Sequence, residues 1–386
     1  MYNIGMYGGS FNPLHLGHVN NIIKAANKCK KLYVILSVTN SPQEVDYKER
    51  LKWLKSITND MENVEVIIMI DNIDDKDKHD WQAGATFIKE SIGSKIDVVF
   101  AGSDYIGKNI WENLYPESKI EYFKRDEINI SSTKIRSNPY KYFQFLPKVV
   151  QKFYTKKVCI VGTESCGKST LVRNLAKYFN TSYVEEAGRI ACEEVGVENL
   201  QKEDYFKILL NHKQLENEAL DKANKILLID TDSLITLFYY NLAFKNESEI
   251  DKKIAETAKA ISYLNKYDLY LFLEPDVKFV HDITRGSGED SIREKNNEIL
   301  KKLLKENNIN FISISGDYDT RYEKSKEKIL SLIKEERNMF LTGFITGAMV
   351  GGTVAIILHC LVIVGKESEE QWEEEQILKK DKRQEN

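Results

Sequence analysis

Short runs of apolar residues alternate with stretches of helical periodicity along most of the chain. Residues 2–8, 31–38, 64–70 and 95–102 are dense in Val, Ile, Leu and Tyr and have the length of buried strands. The stretch from 16 to about 31, "DYKERLKWLKSI" and "WQAGATFIKESI" space their apolar residues as helices do. The charged segment 71–80 reads as a solvated loop. After an aromatic, basic bridge with Pro139 and Pro147 the alternation resumes. Strands are predicted at 157–162, 181–186, 225–230, 267–275 and 310–315, with helices between them and a last helix to about Arg337. Strands alternating with helices imply parallel sheets covered on both faces. The fold class is therefore α/β: two doubly wound domains, at 1–137 and 157–337, joined by a linker at 138–156. In such sheets ligands bind beyond the carboxyl ends of the strands. The loop after the first strand, "SVTNSP" and "AGSDY" converge there in the first domain.

The pattern changes at residue 340. From Phe340 to Val364 there is no Asp, Glu, Lys or Arg. A helix of that length reaches roughly 37 Å, against a bilayer core of about 30 Å. The run predicts a single transmembrane helix at 340–364 followed by a charged tail at 365–386; the alternative is a buried C-terminal helix. Gly343, Gly347 and Gly351 share one face, a spacing that lets such helices pair in a homo-oligomer. Basic residues on both sides leave the orientation open. The expectation is a cytoplasmic body anchored to the cell membrane at its C-terminal end.

Bulk composition narrows the classes. The 386 residues are 42% hydrophobic and 30% charged, with a net charge of -4, so no broad basic face for nucleic acid is expected. Five scattered cysteines with no CxxC pair argue for a reducing compartment and against a zinc site. The N-terminus has no basic region leading into an apolar run, so no signal peptide is expected.

The chemistry concentrates in two glycine-rich loops. "GGSFNPLHLGH" carries His15 and His18 three apart where a helix begins. Imidazoles there can donate to phosphate oxygens as charge develops, and the helix N-terminus adds its amides. "NISSTKIRSNP" places Ser131, Ser132 and Thr133 before a short helix bearing Lys134 and Arg136, a set that suits a triphosphate or a plain helix cap. The two stretches together resemble the nucleotidylyltransferase superfamily, with its (H/T)xGH and (I/V)SSTx(I/V)R loops. The resemblance implies that an acceptor phosphate attacks the α-phosphorus of ATP directly. It implies that His15 and His18 stabilise the transition state, that Gly8, Ser10 and Phe11 lie at the ATP, and that Ser132, Thr133 and Arg136 hold its β- and γ-phosphates. "VDYKERLKWL", with Arg50 and Trp53, and "HDWQAG", with Trp81, look like the branch that takes nicotinamide mononucleotide, where an aromatic ring stacks on the pyridinium. A core or surface tryptophan is the competing reading of Trp81.

The second loop, "GTESCGKS", fits G-x4-G-K-[ST] from Gly162 through Gly167 to Ser169, between a strand and a helix. Its amides cradle phosphates, Lys168 neutralises them, Ser169 reaches Mg²⁺ and Thr170 follows near the α-phosphate. Asp230 and Asp232 end the strand "ILLID" and its loop; Asp230 suits a Mg²⁺ held through water. Glu185, Glu186 and Arg189 end another strand, where carboxylates could bind a sugar hydroxyl or take its proton. Either acidic pair could instead cap a helix. Arg285 and Arg293, in "ITRGSGEDSIRE", suit a lid over ATP, or else a solvated loop.

An adenylyltransferase followed by a P-loop kinase with "ESCGKSTL", "EEAGR", "DTDSLIT" and "TRGSGEDSIR" is similar to the NadR-type bifunctional family over about residues 2 to 335. The resemblance implies an enzyme of NAD salvage. It phosphorylates ribosylnicotinamide with ATP and Mg²⁺, then adenylylates nicotinamide mononucleotide. It implies catalytic roles for Lys168, Glu185 and Asp230 and substrate contacts for Glu186, Arg189 and Asp232. Regulatory members begin with a helix-turn-helix domain. This chain begins at the catalytic strand, so repression is not among the expectations. "EEAGR" replaces the commoner "EYAR", which leaves the division of labour between the glutamates open. The alternatives are another nucleotide-like acceptor, or a membrane-tethered NAD sensor with little turnover.

Overall fold

The computed structural model describes residues 1–39, 45–71, 80–124, 128–244, 248–278 and 290–333. The first half comprises β1 (Tyr2–Gly9), α1 (Leu16–Ala26), β2 (Cys29–Thr39), α2 (Tyr47–Thr58), β3 (Val64–Asp71), α3 (Trp81–Ile92), β4 (Val98–Gly102), α4 (Ile110–Leu114), β5 (Lys119–Phe123) and α5 (Ser132–Ser137). Its five strands are all parallel, in the order β3-β2-β1-β4-β5. The order reverses between β1 and β4, which opens a crevice at their carboxyl ends. Burial explains the chain's readiness to form this sheet. Leu32, Val34 and Leu36 of β2 and Val98 and Val99 of β4 are fully buried, each contributing about 1.5–3 kcal/mol.

A short helix, α6 (Lys148–Tyr154), leads into the second half. That half holds β6 (Lys156–Gly162), α7 (Lys168–Phe179), β7 (Tyr183–Val184), α8 (Ala187–Val195), α9 (Lys202–Lys222), β8 (Ile226–Asp230), α10 (Ser233–Ala243), α11 (Glu249–Leu264), β9 (Leu269–Leu273), α12 (Asp290–Glu306), β10 (Ile312–Ile314) and α13 (318–333). Its parallel sheet runs β10-β9-β6-β8-β7. All five residues of β8 are buried, and helices cover both faces. Two of the long helices here start on reciprocal caps: Gln201 with Asp204 for α9, and Ser248 with Asp251 for α11.

The strand-helix alternation matches the reading of the sequence, although the strands expected at 181–186, 267–275 and 310–315 are shorter; three further differences have physical causes. Strand β5 was not anticipated: "KIEYF" is a partly exposed edge strand and carries no apolar run. The first helix stops at Ala26 rather than near residue 31, because Cys29 starts β2 and its sulfur packs where a Cβ on Gly5 would come within 2.4 Å. Strand β4 starts at Val98, not 95, since the Asp97 carboxylate accepts from the amides of Asn3 and Ile4 (2.7 and 3.1 Å) and ties the preceding loop to β1.

Residues Met1–Ser331 form one compact unit. No helix among the described residues is long and apolar enough to cross a membrane. The run expected to span one, 340–364, lies outside the described residues, as do the charged tail, the lid residue Arg285, most of the charged loop at 71–80 and the end of "SVTNSP".

Candidate active sites

The first site is built where β1 gives way to α1. His15 is the N-cap of α1: its Nδ1 accepts from the His18 amide at 3.3 Å. That bond leaves Nε2 to carry the proton of a neutral ring. The two imidazoles stack at 3.7 Å and 16°. Gly17 leaves room between them: a Cβ there would lie 3.1 Å from the His15 ring and crowd it. Phe11 holds the loop from beneath. It adopts φ 47°, is fully buried and packs edge-on against His18 and Tyr7. Phe11 can therefore meet a ligand only through its backbone. Gly8 is half-buried and Ser10 exposed at the loop's outer rim.

The second stretch docks directly onto this loop. Ser132 Oγ donates to the Pro13 carbonyl at 3.0 Å, and an Arg136 nitrogen donates to the Asn12 carbonyl at 2.5 Å. Another Arg136 nitrogen donates to Thr133 Oγ1 at 3.2 Å. Ser131, not Ser132, caps α5 through the Lys134 amide. Residues about 120 apart in the chain thus form one cradle of hydroxyl, guanidinium and imidazole groups at the carboxyl end of the sheet.

Two residues expected to touch substrate do something else. Arg50 is buried under the loop, donating to the Ser10 carbonyl at 2.6 Å; it braces the loop from behind. Trp53, one turn on, is completely buried against Phe153 of α6, at 5.3 Å between rings. The helical period that puts Arg50 inward puts Trp53 inward as well. Trp81 is different: it stays 40% exposed at the start of α3. Two aromatic residues to which the sequence reading gave no role stand beside it, Tyr105 at 6.3 Å and Trp111 at 5.7 Å, both edge-on. Tyr105 directly follows "AGSD" at the carboxyl end of β4, and that position was the available signal for it.

The second site surrounds the loop after β6. Ser165 and Gly167 adopt left-handed backbone (φ 56° and 88°). A Cβ on Gly167 would come 2.9 Å from the Tyr318 ring, so glycine is needed for both reasons. Lys168 is buried, with Nζ donating to the Thr163 carbonyl at 2.9 Å. Arg321 of α13, also buried, donates to the carbonyls of Cys166 (2.6 Å), Gly316 (2.7 Å) and Glu274 (2.7 Å) and pairs with Asp276. It staples the phosphate loop to the segments after β9 and β10. Nothing in its local sequence announces it.

Two adjoining pockets open at this loop. One, of about 120 Å³, brings together Ser169, Asp230, Glu185, Glu186 and Arg189. The other, of about 390 Å³, shares Ser169, Glu186 and Arg189 and adds Lys168, Glu164 and Tyr239. Asp230 is buried at the end of β8, and its backbone carbonyl accepts from His212 Nε2 at 3.1 Å. Burial holds the His212 imidazole below its usual range. Among the described residues no cluster of three or more His, Cys, Asp or Glu side chains forms a cage for a metal. The hydroxyl of Ser169 and the carboxylate of Asp230 on one small pocket fit the way Mg²⁺ is held, by one or two hard oxygens plus substrate phosphates. Glu185 is half-exposed, 3.9 Å from an Arg173 nitrogen. Arg189 lines both pockets and donates to Glu193 at 2.9 Å. Thr170 is exposed on α7.

Two expectations about this half are corrected. Asp232 lines neither pocket at this loop. It is fully buried and caps α10, accepting from the Leu234 amide at 2.9 Å and the Tyr270 hydroxyl at 3.2 Å; burial raises its pKa. Arg293 is not a free lid residue. It is buried on α12, donating to the carbonyls of Val277 and Pro275 just after β9.

Comparison with known proteins follows the same division. A cytidylyltransferase-like family matches residues 6–138 and an AAA domain family matches residues 157–321. Over 355 residues the chain is 30% identical to the trifunctional NAD biosynthesis/regulator protein NadR of Escherichia coli (strain K12), covering 86% of this chain and 84% of that protein. The chain belongs to the NadR family. The Salmonella typhimurium NadR is likewise 30% identical, over 352 residues and the same shares of both chains. A solved NadR protein in complex with NR shares the fold at a TM-score of 0.71 and 23% identity, over 87% of this chain and 96% of that one. The first half alone is 33% identical over 134 residues to the phosphopantetheine adenylyltransferase of Mycoplasma mycoides subsp. mycoides SC, covering 34% of this chain and 92% of that enzyme.

Proposed function

We propose that this NadR-family protein is a two-step enzyme of NAD salvage, in which each glycine-rich loop directs ATP to a different reaction. The observation that carries the reading is the pairing, in one chain, of the cradle formed by His15, His18, Ser132 and Arg136 with a complete P-loop that opens on an acceptor pocket.

At the second site the ribose 5′-hydroxyl of ribosylnicotinamide attacks the γ-phosphorus of ATP. The bond to the ADP oxygen breaks, and a carboxylate of the Glu185–Glu186 pair takes the hydroxyl proton. Lys168 releases the Thr163 carbonyl to neutralise the phosphates. Ser169 and Asp230 would hold Mg²⁺, which screens the phosphate charge when bound. Arg189 faces the acceptor, and Thr170 the α-phosphate. At the first site the new 5′-phosphate attacks the α-phosphorus of a second ATP and pyrophosphate leaves. His15 and His18 donate to the oxygens on which charge builds, while Ser132, Thr133 and Arg136 hold the β- and γ-phosphates. The exposed face of Trp81, backed by Tyr105 and Trp111, suits the pyridinium ring. That aromatic wall favours a pyridine nucleotide over the other acceptor consistent with half of the chain, a phosphopantetheine.

The test is product analysis of the purified protein with ribosylnicotinamide, ATP and Mg²⁺; absence of both nicotinamide mononucleotide and NAD refutes the reading. Lys168→Ala should abolish phosphorylation and spare adenylylation of supplied mononucleotide, and His18→Ala should do the reverse. The membrane anchor proposed for 340–364 rests on its 25 charge-free residues. Cell fractionation of the full chain beside one stopped at Arg337 tests it, and full-length protein found only in the soluble fraction removes it.

A further inference from the structure

We infer that Glu164, a carboxylate carried inside the phosphate loop itself, makes the second site select a cationic nucleoside over a neutral one of the same shape. The inference rests on reading that site as a nucleoside kinase.

A negative charge inside a loop built to hold phosphates works against nucleotide binding unless it is turned elsewhere. Here it is turned: Tyr239 on α10 donates its hydroxyl to Glu164 Oε2 at 3.0 Å, and both side chains line the 390 Å³ pocket. Burial, and then the Glu164 charge, push the Tyr239 hydroxyl far above its usual pKa, so it stays a donor. Among the described residues no lysine or arginine pairs with Glu164. Among the described residues the pocket's other charges are Glu186, Lys168 and Arg189. Lys168 goes to the phosphates when ATP binds, and Arg189, on the acceptor side with Glu186 and Glu193, is outnumbered there by carboxylates. The field left on the acceptor is negative. Its walls include Leu200, Tyr205 and Ile208, which keep water back and lengthen the reach of a fixed charge. A pyridinium ring has a delocalised positive charge and no ring N–H. A carboxylate held beside tyrosine rings can attract it without needing a hydrogen bond to it.

The experiment is steady-state kinetics of the full chain at saturating ATP and Mg²⁺. The substrates are ribosylnicotinamide and its 1,4-dihydro form, which keeps ribose and carboxamide but has no ring charge. The wild type should favour the cation in kcat/KM by roughly tenfold or more, chiefly through KM. Glu164→Gln, which keeps an acceptor for Tyr239, should bring the two substrates within about threefold of each other. A variant that loses both substrates equally, or keeps the wild-type ratio, overturns the inference. So does a wild type with equal kcat/KM for the two, a measurement that needs no variant. A wild type that phosphorylates neither nucleoside sinks the kinase reading itself, whereas one that phosphorylates both with no preference sinks only the role of Glu164.

Discussion

Arg321→Met isolates what one buried guanidinium does for the phosphate loop. The substitution keeps an apolar stem of similar length and removes the donors to Cys166, Gly316 and Glu274. A buried carbonyl left without a partner costs about 1–3 kcal/mol. Gly316 and Glu274 lie where water can reach them in part, so about 1 kcal/mol each is apt, with about 2 kcal/mol for the Cys166 carbonyl. Asp276 is 40% exposed, and losing its partner there adds little. The sum is about 4 kcal/mol, or a fall in Tm of roughly 8–16 °C for a domain of this size. Function should suffer as well. The Cys166 carbonyl and the Gly167 amide belong to one planar peptide and point opposite ways. Holding the carbonyl inward therefore aims the amide at the phosphates. Calorimetry of the full chain, with and without a non-hydrolysable ATP analogue and Mg²⁺, reads both effects. Arg321→Lys should not restore them, since a single ammonium cannot fork to three carbonyls. A destabilisation under about 1 kcal/mol, or unchanged analogue affinity at the P-loop, refutes the reasoning.

Three further outcomes are expected. His212 is buried neutral with a lowered pKa, so the unfolded chain takes up the proton first as pH falls below 6.5. Stability is therefore complete above that pH and declines below it, by up to about 1.4 kcal/mol per pH unit; urea unfolding from pH 7.5 to 5.5 should show the slope, and His212→Gln should flatten it. Gly167→Ala forces a side chain into left-handed backbone and against Tyr318. It should weaken ATP-analogue binding at the second site by roughly fivefold to thirtyfold, from about 1–2 kcal/mol of strain, which isothermal titration would detect. Trp81→Leu should raise the KM for the mononucleotide at the first site by roughly threefold to thirtyfold, with kcat little changed, if the ring binds the pyridinium equally in ground and transition states; a fall in kcat alone contradicts that role.

Both glycine-rich loops were legible in the sequence, because each is a local strand-turn-helix unit; that the Ser132–Arg136 segment docks on the first of them is a long-range contact. His15 and His18, or Gly162 to Ser169, act within one strand-turn-helix unit, so local spacing nearly specifies the geometry. The strand-helix alternation was legible for a similar reason: doubly covered parallel strands must be continuous apolar runs. An edge strand such as β5 need not be, and it went unread.

Orientation was what local pattern left undecided. Arg50, Trp53, Asp232 and Arg293 are residue types that serve substrates, yet all four turn inward and serve the framework. Burial depends on what packs against a helix face, and that partner is distant in the chain: Phe153 for Trp53, Tyr270 for Asp232. Conversely Glu164, Tyr239, Tyr105, Trp111 and Arg321 acquired places at the sites only through neighbours brought in by folding. The sequence by itself determined the fold class and the two glycine-rich loops, because those rest on short-range backbone geometry. Only the tertiary structure decided which side chains line the pockets and which hold the loops, because a side chain's surroundings are set by residues tens to more than a hundred positions away.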